Sequence, residues 1–318
     1  MAASARIPGI DAQFLPLNLG GNTFGWTSDE QRSFEVLDSF VAAGGSFIDT
    51  ADMYSVWAEG HTGGESETVL GRWLAARGNR QNVLIATKTG AHPDFEGLAD
   101  QTVKASLEAS LQRLQTDQID LYYAHYDDES IAIADQVRTF HDLVQSGKVT
   151  AYGLSNYSPQ RMREFFETAR REGLTAPVAI QPQYSLVFRK EYEQDYSPIA
   201  REYGAAVFPY FSLAAGFLTG KYRTKADLEG AQRGGMAEGY FSEDGLRVVE
   251  AVERIAADRG VEMPTVALAW LLARGITAPI AKIEMRRRLT LIGSMLLHKG
   301  EVDGLICGTW GNTTRRAE

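Results

Sequence analysis

Apolar residues gather in two kinds of stretch that alternate along the chain. Short runs stand at 15–19, 46–49, 83–88, 119–125, 149–154, 178–183, 205–211 and 276–281, and these read as strands. Between them lie longer stretches with apolar residues every three or four positions. Val103, Leu107, Leu111 and Leu114 show that spacing, which is the period of one helix face. The pattern places helices over 28–43, 65–76, 98–114, 131–145, 159–170, 192–203, 244–259 and 264–272. Gly44 and Gly45 supply a stop after the first helix. A Gly-rich loop over 219–240 interrupts the alternation ahead of the last two helices.

Because the strand runs are close to continuously apolar, they predict a parallel sheet covered on both faces. Eight strand–helix units, repeating at intervals of roughly 35 residues, fit a (β/α)8 TIM barrel better than an open doubly wound sheet. No Gly-x-Gly-x-x-Gly turn joins a strand to a helix, which weakens the doubly wound alternative further. With no Pro- or Ser-rich linker, residues 1–284 read as one barrel, followed by a tail of different character over 285–318.

Composition narrows the class. The chain has 318 residues, 44% of them hydrophobic and 23% charged, the profile of a folded soluble protein. A net charge of -9 argues against a nucleic-acid partner, which would need a basic face. No apolar run is long enough to span a membrane, and residues 1–8 lack the apolar core of a secretory signal. The single cysteine, Cys307, excludes an intrachain disulfide and a cysteine-based zinc site, and a reducing cytoplasm is the expected setting. One local exception to the acidic balance is the run Arg286-Arg287-Arg288.

Barrel enzymes carry their chemistry at the C-terminal ends of the strands. The second strand run ends in Asp49, with Tyr54 on the loop just beyond; the third ends in Lys88 and the fourth in His125. Each has an ordinary alternative: Asp49 could cap a helix, Tyr54 could pack on its loop, and His125 could be a satisfied core histidine. Lys88 follows Ile85-Ala86-Thr87, an unusual place for a long cation unless it is paired. Successive strands of one barrel bring all four groups to one mouth. An ammonium beside a phenol favours tyrosinate and lowers the phenol pKa, while Asp49 holds the lysine charged and His125 aligns a carbonyl. A tyrosine acid beside a carbonyl needs an incoming nucleophile, for which a nicotinamide hydride is the natural choice.

Asp49-Thr50-Ala51-x-x-Tyr54 with Lys88 and His125 resembles the catalytic tetrad of the aldo-keto reductase superfamily, and the resemblance spans residues 14–282. It implies NADP(H)-dependent reduction of a small carbonyl substrate, with Tyr54 as general acid, Lys88 and Asp49 tuning it, and His125 orienting the carbonyl. Further motifs fall in order. Gly153-Leu154-Ser155-Asn156 is similar to the family motif whose Ser and Asn contact the nicotinamide carboxamide, and Gln181 matches a glutamine at the same group. Tyr210, in Phe208-Pro209-Tyr210-Phe211-Ser212-Leu213, matches the residue that stacks on the nicotinamide ring. Gly216-Phe217-Leu218-Thr219-Gly220-Lys221-Tyr222 resembles the loop that folds over the pyrophosphate. The resemblance thus implies cofactor contacts at Thr23, Asp49, Ser155, Asn156, Gln181, Tyr210, Ser212, Leu213, Gly216 and Lys221. Trp26, Trp57 and Tyr126, on loops after strands one, two and four, are the expected substrate walls, with plain packing as the alternative.

After the eighth strand run the pattern changes. Lys282 and Arg288 align with the Lys and Arg that hold an adenosine 2′-phosphate in the family, but Ile283 stands where its Ser is expected and the following Glu-Asn pair is absent. Residues 285–310 resemble a fragment of the phosphotransacetylase-like domain of malic enzymes, too short to carry that activity. It would supply a helix over 286–299 and a strand-like run over 304–307, with a junction at 282–285. Two further readings follow from this: a cofactor-sensing regulatory subunit of the potassium-channel β type, and a chimera with impaired cofactor binding.

Overall fold

The computed structural model describes residues 4–231 and 234–281. Eight parallel strands run in the order expected of a barrel: β1 (Asn18–Gly20), β2 (Phe47–Asp49), β3 (Leu84–Thr89), β4 (Ile119–Ala124), β5 (Val149–Ser155), β6 (Ala179–Gln181), β7 (Ala206–Val207) and β8 (Ile280–Ala281). Each pairs with its neighbour in sequence, and β8 returns to pair with β1, Ile280 opposite Asn18. The remaining seam, between β7 and β8, is joined by individual bonds. Thr277 and Ala278 amides donate to Val207 O at 3.0 and 3.3 Å, and the Ile280 amide donates to Pro209 O at 3.0 Å.

Helices alternate with these strands: α1 (Glu30–Ala42), α2 (Glu65–Arg77), α3 (Asp100–Leu114), α4 (Ile133–Gln145), α5 (Pro159–Glu172), α6 (Ser197–Tyr203), α7 (Glu243–Arg259) and α8 (Met263–Ala273). Their starts follow local chemistry. Asp29, Ser158 and Ser242 each accept an amide of the first turn of α1, α5 and α7. Between sheet and helices lies the main core, with Trp73, Phe40, Phe140, Tyr152 and Phe165 fully buried. A second cluster fills the barrel interior, where Phe47 meets Phe14 and Phe208 edge-on at 5.1 Å each.

Four departures from the sequence pattern have local causes. The run 205–211 is ladder-paired only at Ala206–Val207, because Pro209 has no amide to donate and the chain turns at Phe211, φ 52°. The run 276–281 is paired only at Ile280–Ala281, for Pro279 interrupts it in the same way. The helix expected over 192–203 begins as a π-helical turn, Tyr192–Tyr196, and becomes α-helical with Pro198 in its first turn. Within the loop over 219–240 the chain forms a 3-10 turn, Lys225–Leu228, and a short helix, Gly234–Glu238. Two short hairpins, Ala5–Arg6 with Gln13–Phe14 and Ala91–His92 with Phe95–Glu96, carried too few residues to show a period. The helix and strand-like run expected over 286–307 lie outside the described residues. No helix among the described residues is long and apolar enough to cross a membrane.

Gly71 allows α2 to lie against the end of α3. A Cβ there would sit 2.0 Å from Arg113 O and within 2.9 Å of the Leu114 backbone, so any side chain forces two helices apart. Gly71→Ala is expected to destabilise the fold by about 1–3 kcal/mol, as overpacked interiors do. Urea denaturation with an unchanged midpoint would contradict this contact.

Candidate active site

Strand alternation sets the site. Thr87 points outward and gives its hydroxyl to Glu67 on α2, so its neighbour Lys88 must point into the barrel. There its ammonium is wholly buried and makes three bonds: to Asp49 Oδ2 at 2.6 Å, Thr50 O at 2.7 Å and the Tyr54 hydroxyl at 3.0 Å. The other oxygen of Asp49 accepts from Gln181 Nε2 at 2.9 Å, which ties β2 to β6 across the barrel. A buried ammonium is tolerated only when a carboxylate and further acceptors replace its water, and here every donor position has one.

Tyr54 is held by its loop. Its carbonyl accepts the Ser66 amide at 3.3 Å, and the next amide, of Ser55, donates to Glu65 Oε2 at 3.1 Å. Burial raises the Tyr54 phenol pKa and the Lys88 charge opposes this, but Asp49 adds to the rise and the net direction is up. That corrects the expectation of a phenol lowered by its lysine: the carboxylate that keeps Lys88 in place cancels part of the lysine's effect on Tyr54. Burial works against the charge on Lys88, yet Asp49 and Tyr54 outweigh it and raise its pKa. Both groups therefore keep their protons at neutral pH. His125 lies just past β4, its ring 6.1 Å from that of Tyr54. Burial and the Lys88 charge push its pKa well below the usual histidine value, so the imidazole is neutral.

These groups face one cavity of about 820 Å³. Asp49, Tyr54 and His125 line it, while Lys88 sits behind them. One wall is a chain of rings: Trp26 meets Trp57 edge-on at 5.5 Å, Trp57 meets Tyr54 at 5.7 Å, and Tyr126 stacks on His125 at 4.8 Å. Trp57 and Tyr126 are 43% and 48% exposed, so the aromatic residues expected as substrate walls do stand at the cavity. The far side is polar. Ser155 gives its hydroxyl to Gln181 O at 2.8 Å, and Asn156 Nδ2 donates to His125 O at 2.8 Å. Tyr210 donates its hydroxyl to Asn156 Oδ1 at 2.9 Å, joining β5 to the residues after β7.

Beyond Tyr210 the chain turns through Ala214, Ala215 and Gly216, all with positive φ (49°, 54° and 97°). At Gly216 the φ of 97° strains any residue with a Cβ, so the turn favours glycine there. Lys221 is the only lysine or arginine of the cavity lining among the described residues. A cation beside a glycine turn at one end, and amide and hydroxyl groups around a tyrosine ring at the other, fit a nicotinamide dinucleotide.

The structure brings together most of the residues selected from sequence, with one exception. Thr23 does not line the cavity; its carbonyl accepts the Trp26 and Ser28 amides, and Asn22 faces the cavity instead. Ser212 lines the cavity, its hydroxyl donating to Pro209 O at 2.9 Å and its oxygen able to accept. Leu213 lies in the wall as expected. Met53, Phe211, Ala215, Met236 and Pro264 also line it and were not anticipated. Asn22 had a usable signal, a polar side chain just past a strand end; Met236 had none, being placed by an irregular loop. Lys282 and Arg288 lie outside the described residues.

Comparison with known proteins agrees with this geometry. The family model described as "Aldo/keto reductase family" matches residues 16–296, beyond the change of character expected at 282–285. Norsolorinic acid reductase B of Aspergillus parasiticus is 31% identical over 288 residues, covering 84% of this chain and 72% of that protein. Norsolorinic acid reductase stcV of Emericella nidulans is 34% identical over 276 residues, 81% of this chain and 67% of the other. A probable voltage-gated potassium channel subunit beta of Oryza sativa is 30% identical over 258 residues, 78% of this chain and 76% of the other.

Replacing one partner of the buried pair tests the geometry. Asp49→Asn leaves the Lys88 ammonium buried without a counter-ion, and an expected loss of about 3–5 kcal/mol should appear in urea denaturation near neutral pH. A change within the error of the measurement would mean that Asp49 does not compensate Lys88.

Proposed function

The chain belongs to the aldo/keto reductase family, and from that premise we propose that it reduces aldehydes or ketones to alcohols with NADPH, Tyr54 being the proton donor. The observation that carries this reading is the Lys88 ammonium bonded at once to the Asp49 carboxylate and to the Tyr54 hydroxyl, which opens onto the cavity. When bound, the reduced nicotinamide supplies a hydride to the carbonyl carbon. Ser155, Asn156, Gln181 and Tyr210 would hold the nicotinamide end, with the turn at Gly216 and Lys221 toward the phosphates.

The protein's own groups then handle one proton. Tyr54 keeps it until the carbonyl oxygen gains negative charge, and gives it up there from its hydroxyl oxygen. The tyrosinate left behind lies 3.0 Å from the Lys88 ammonium, which stabilises it most at that moment. Neutral His125 can hydrogen-bond the same oxygen without adding a charge that would disturb the phenol. The ring wall from Trp26 to Tyr126 offers apolar surface to the rest of the substrate. A reducing compartment such as the cytoplasm fits the single cysteine, Cys307.

The name of the Oryza sativa relative favours a second reading, a subunit that senses the redox state of its cofactor for a partner. Turnover separates the two, since a sensing subunit binds the cofactor and reduces carbonyls slowly or not at all. The family match runs to residue 296, into the 285–310 stretch expected to resemble a malic-enzyme fragment, and no activity is proposed for that stretch.

Two experiments test the main reading. Tyr54→Phe removes the transferable proton and keeps the ring, so kcat for a small aldehyde should fall by about 10²–10⁴-fold while NADPH still quenches the protein fluorescence. Near wild-type reduction by the Phe variant would remove Tyr54 from the acid role. NADPH should also bind more tightly than NADH, through Lys282 and Arg288, because arginine contacts to phosphate are charge-assisted and often bidentate. Superimposable titration curves for the two would refute the 2′-phosphate assignment.

A further inference from the structure

Behind the site, between the outer face of β3 and helices α2 and α3, lies a second group of ionisable residues that the reaction above does not use. Asp52 and Glu67 are both fully buried. Glu67 is satisfied on both oxygens, by the Thr87 hydroxyl at 2.5 Å and by Arg113 Nε at 2.7 Å. Asp52 receives the Ser106 hydroxyl at 3.0 Å, on Oδ2, and the Met53 backbone amide, with no cation bonded to it among the described residues. Around the pair stand Arg113 and Ser106 from α3, Tyr122 from β4 and His92 from the hairpin after β3. Tyr122 is fully buried, with its pKa pushed up by burial and by Asp52, so it stays neutral. Burial and the Arg113 charge lower the pKa of His92, so it adds no positive charge at neutral pH. Lys88 points the other way and presents only its carbonyl. Arg113 pairs with Glu67 alone, so Asp52 stands beside a second carboxylate without a cation bonded to it, and a proton is the natural charge for it to hold.

This pair sits on the segment that carries the active tyrosine. The Asp52 amide donates to Lys88 O at 3.2 Å and the Thr50 amide to Ala86 O at 2.8 Å, while Thr50 O accepts from the Lys88 ammonium at 2.7 Å. Two residues after Asp52 comes Tyr54. We propose that Asp52 is a positioning residue for Tyr54: carrying a proton beside Glu67, it lets the turn 50–54 rest on β3, and releasing that proton to solvent sets two buried anions against each other and displaces the turn. This rests on the reading of Tyr54 as the acid. Burial, reinforced by the Glu67 charge, pushes the Asp52 carboxyl up to about 7, which places the change near neutral pH.

The sign for stability follows from linkage. With its pKa raised from 3.8 to about 7, Asp52 holds its proton more tightly in the folded than in the unfolded chain. Stability is therefore fully present below about pH 4 and falls as pH rises toward about 7. Three measurements on the full chain test the proposal. In wild type labelled with 13C at aspartate carboxyls, one resonance should titrate near pH 7; its absence would overturn the idea without any variant. Asp52→Asn keeps the shape and cannot ionise, so the wild-type fall in Tm between about pH 4 and about pH 7, and the fall in kcat around pH 7, should vanish. Parallel kcat and Tm profiles for wild type and Asp52→Asn would sink the proposal. If the resonance titrates near pH 7 but no carbonyl is reduced at any pH, the reductase reading fails and the positioning role fails with it.

Discussion

The Lys88 ammonium inside the barrel is the constraint around which the rest is arranged. A charge so placed is stable only with a carboxylate beside it, which fixes Asp49, and with that carboxylate's second oxygen also occupied, which fixes Gln181. Its third bond reaches Tyr54, and through Thr50 O it holds the start of the tyrosine's loop. One buried cation thus determines the relative positions of β2, β3 and β6 and the phenol between them. The outward neighbours of Lys88 show the same logic from the other side, for Thr87 engages Glu67 in the helix layer.

The electrostatic balance at Tyr54 differs from the simplest sequence argument, and the difference matters chemically. A lysine beside a phenol favours ionisation, but burial and the carboxylate of the same trio oppose it. Keeping the phenol protonated suits a group that must deliver a proton when charge appears and not before. Lys88 contributes at the tyrosinate stage, where its bond to the phenol oxygen becomes a bond between opposite charges.

How much of this was legible in the chain follows from the physics of each part. Asp49, Lys88 and His125 stand at the ends of apolar runs, where composition marks the strand and the barrel rule assigns the end to chemistry. The β4 strand, Ile119–Ala124, and helix α7, Glu243–Arg259, are found within a residue or so of their expected bounds because their patterns are long. The short β7 and β8 are overestimated, since Pro209 and Pro279 end the ladder while the apolar run continues around them. Thr23 was selected in place of Asn22 because adjacent polar residues in a turn cannot be told apart without knowing which one the turn aims inward. The Asp52–Glu67 pair depends on contacts between distant segments, which no local pattern records.

The seam of the barrel has a mechanical consequence. β3, β4 and β5 are six or seven residues long and paired along most of their length, whereas among the described residues β6, β7, β8, β1 and β2 have two or three each. The cylinder is therefore stiff on the side that carries Lys88 and His125 and thinly stitched on the side that carries Tyr210 and Gly216. Asp49 stands at the end of a short strand and Lys88 on a long one, so the bond between them fastens the loop of Tyr54 to the stiff side, a task the three-residue ladder of β2 shares with it.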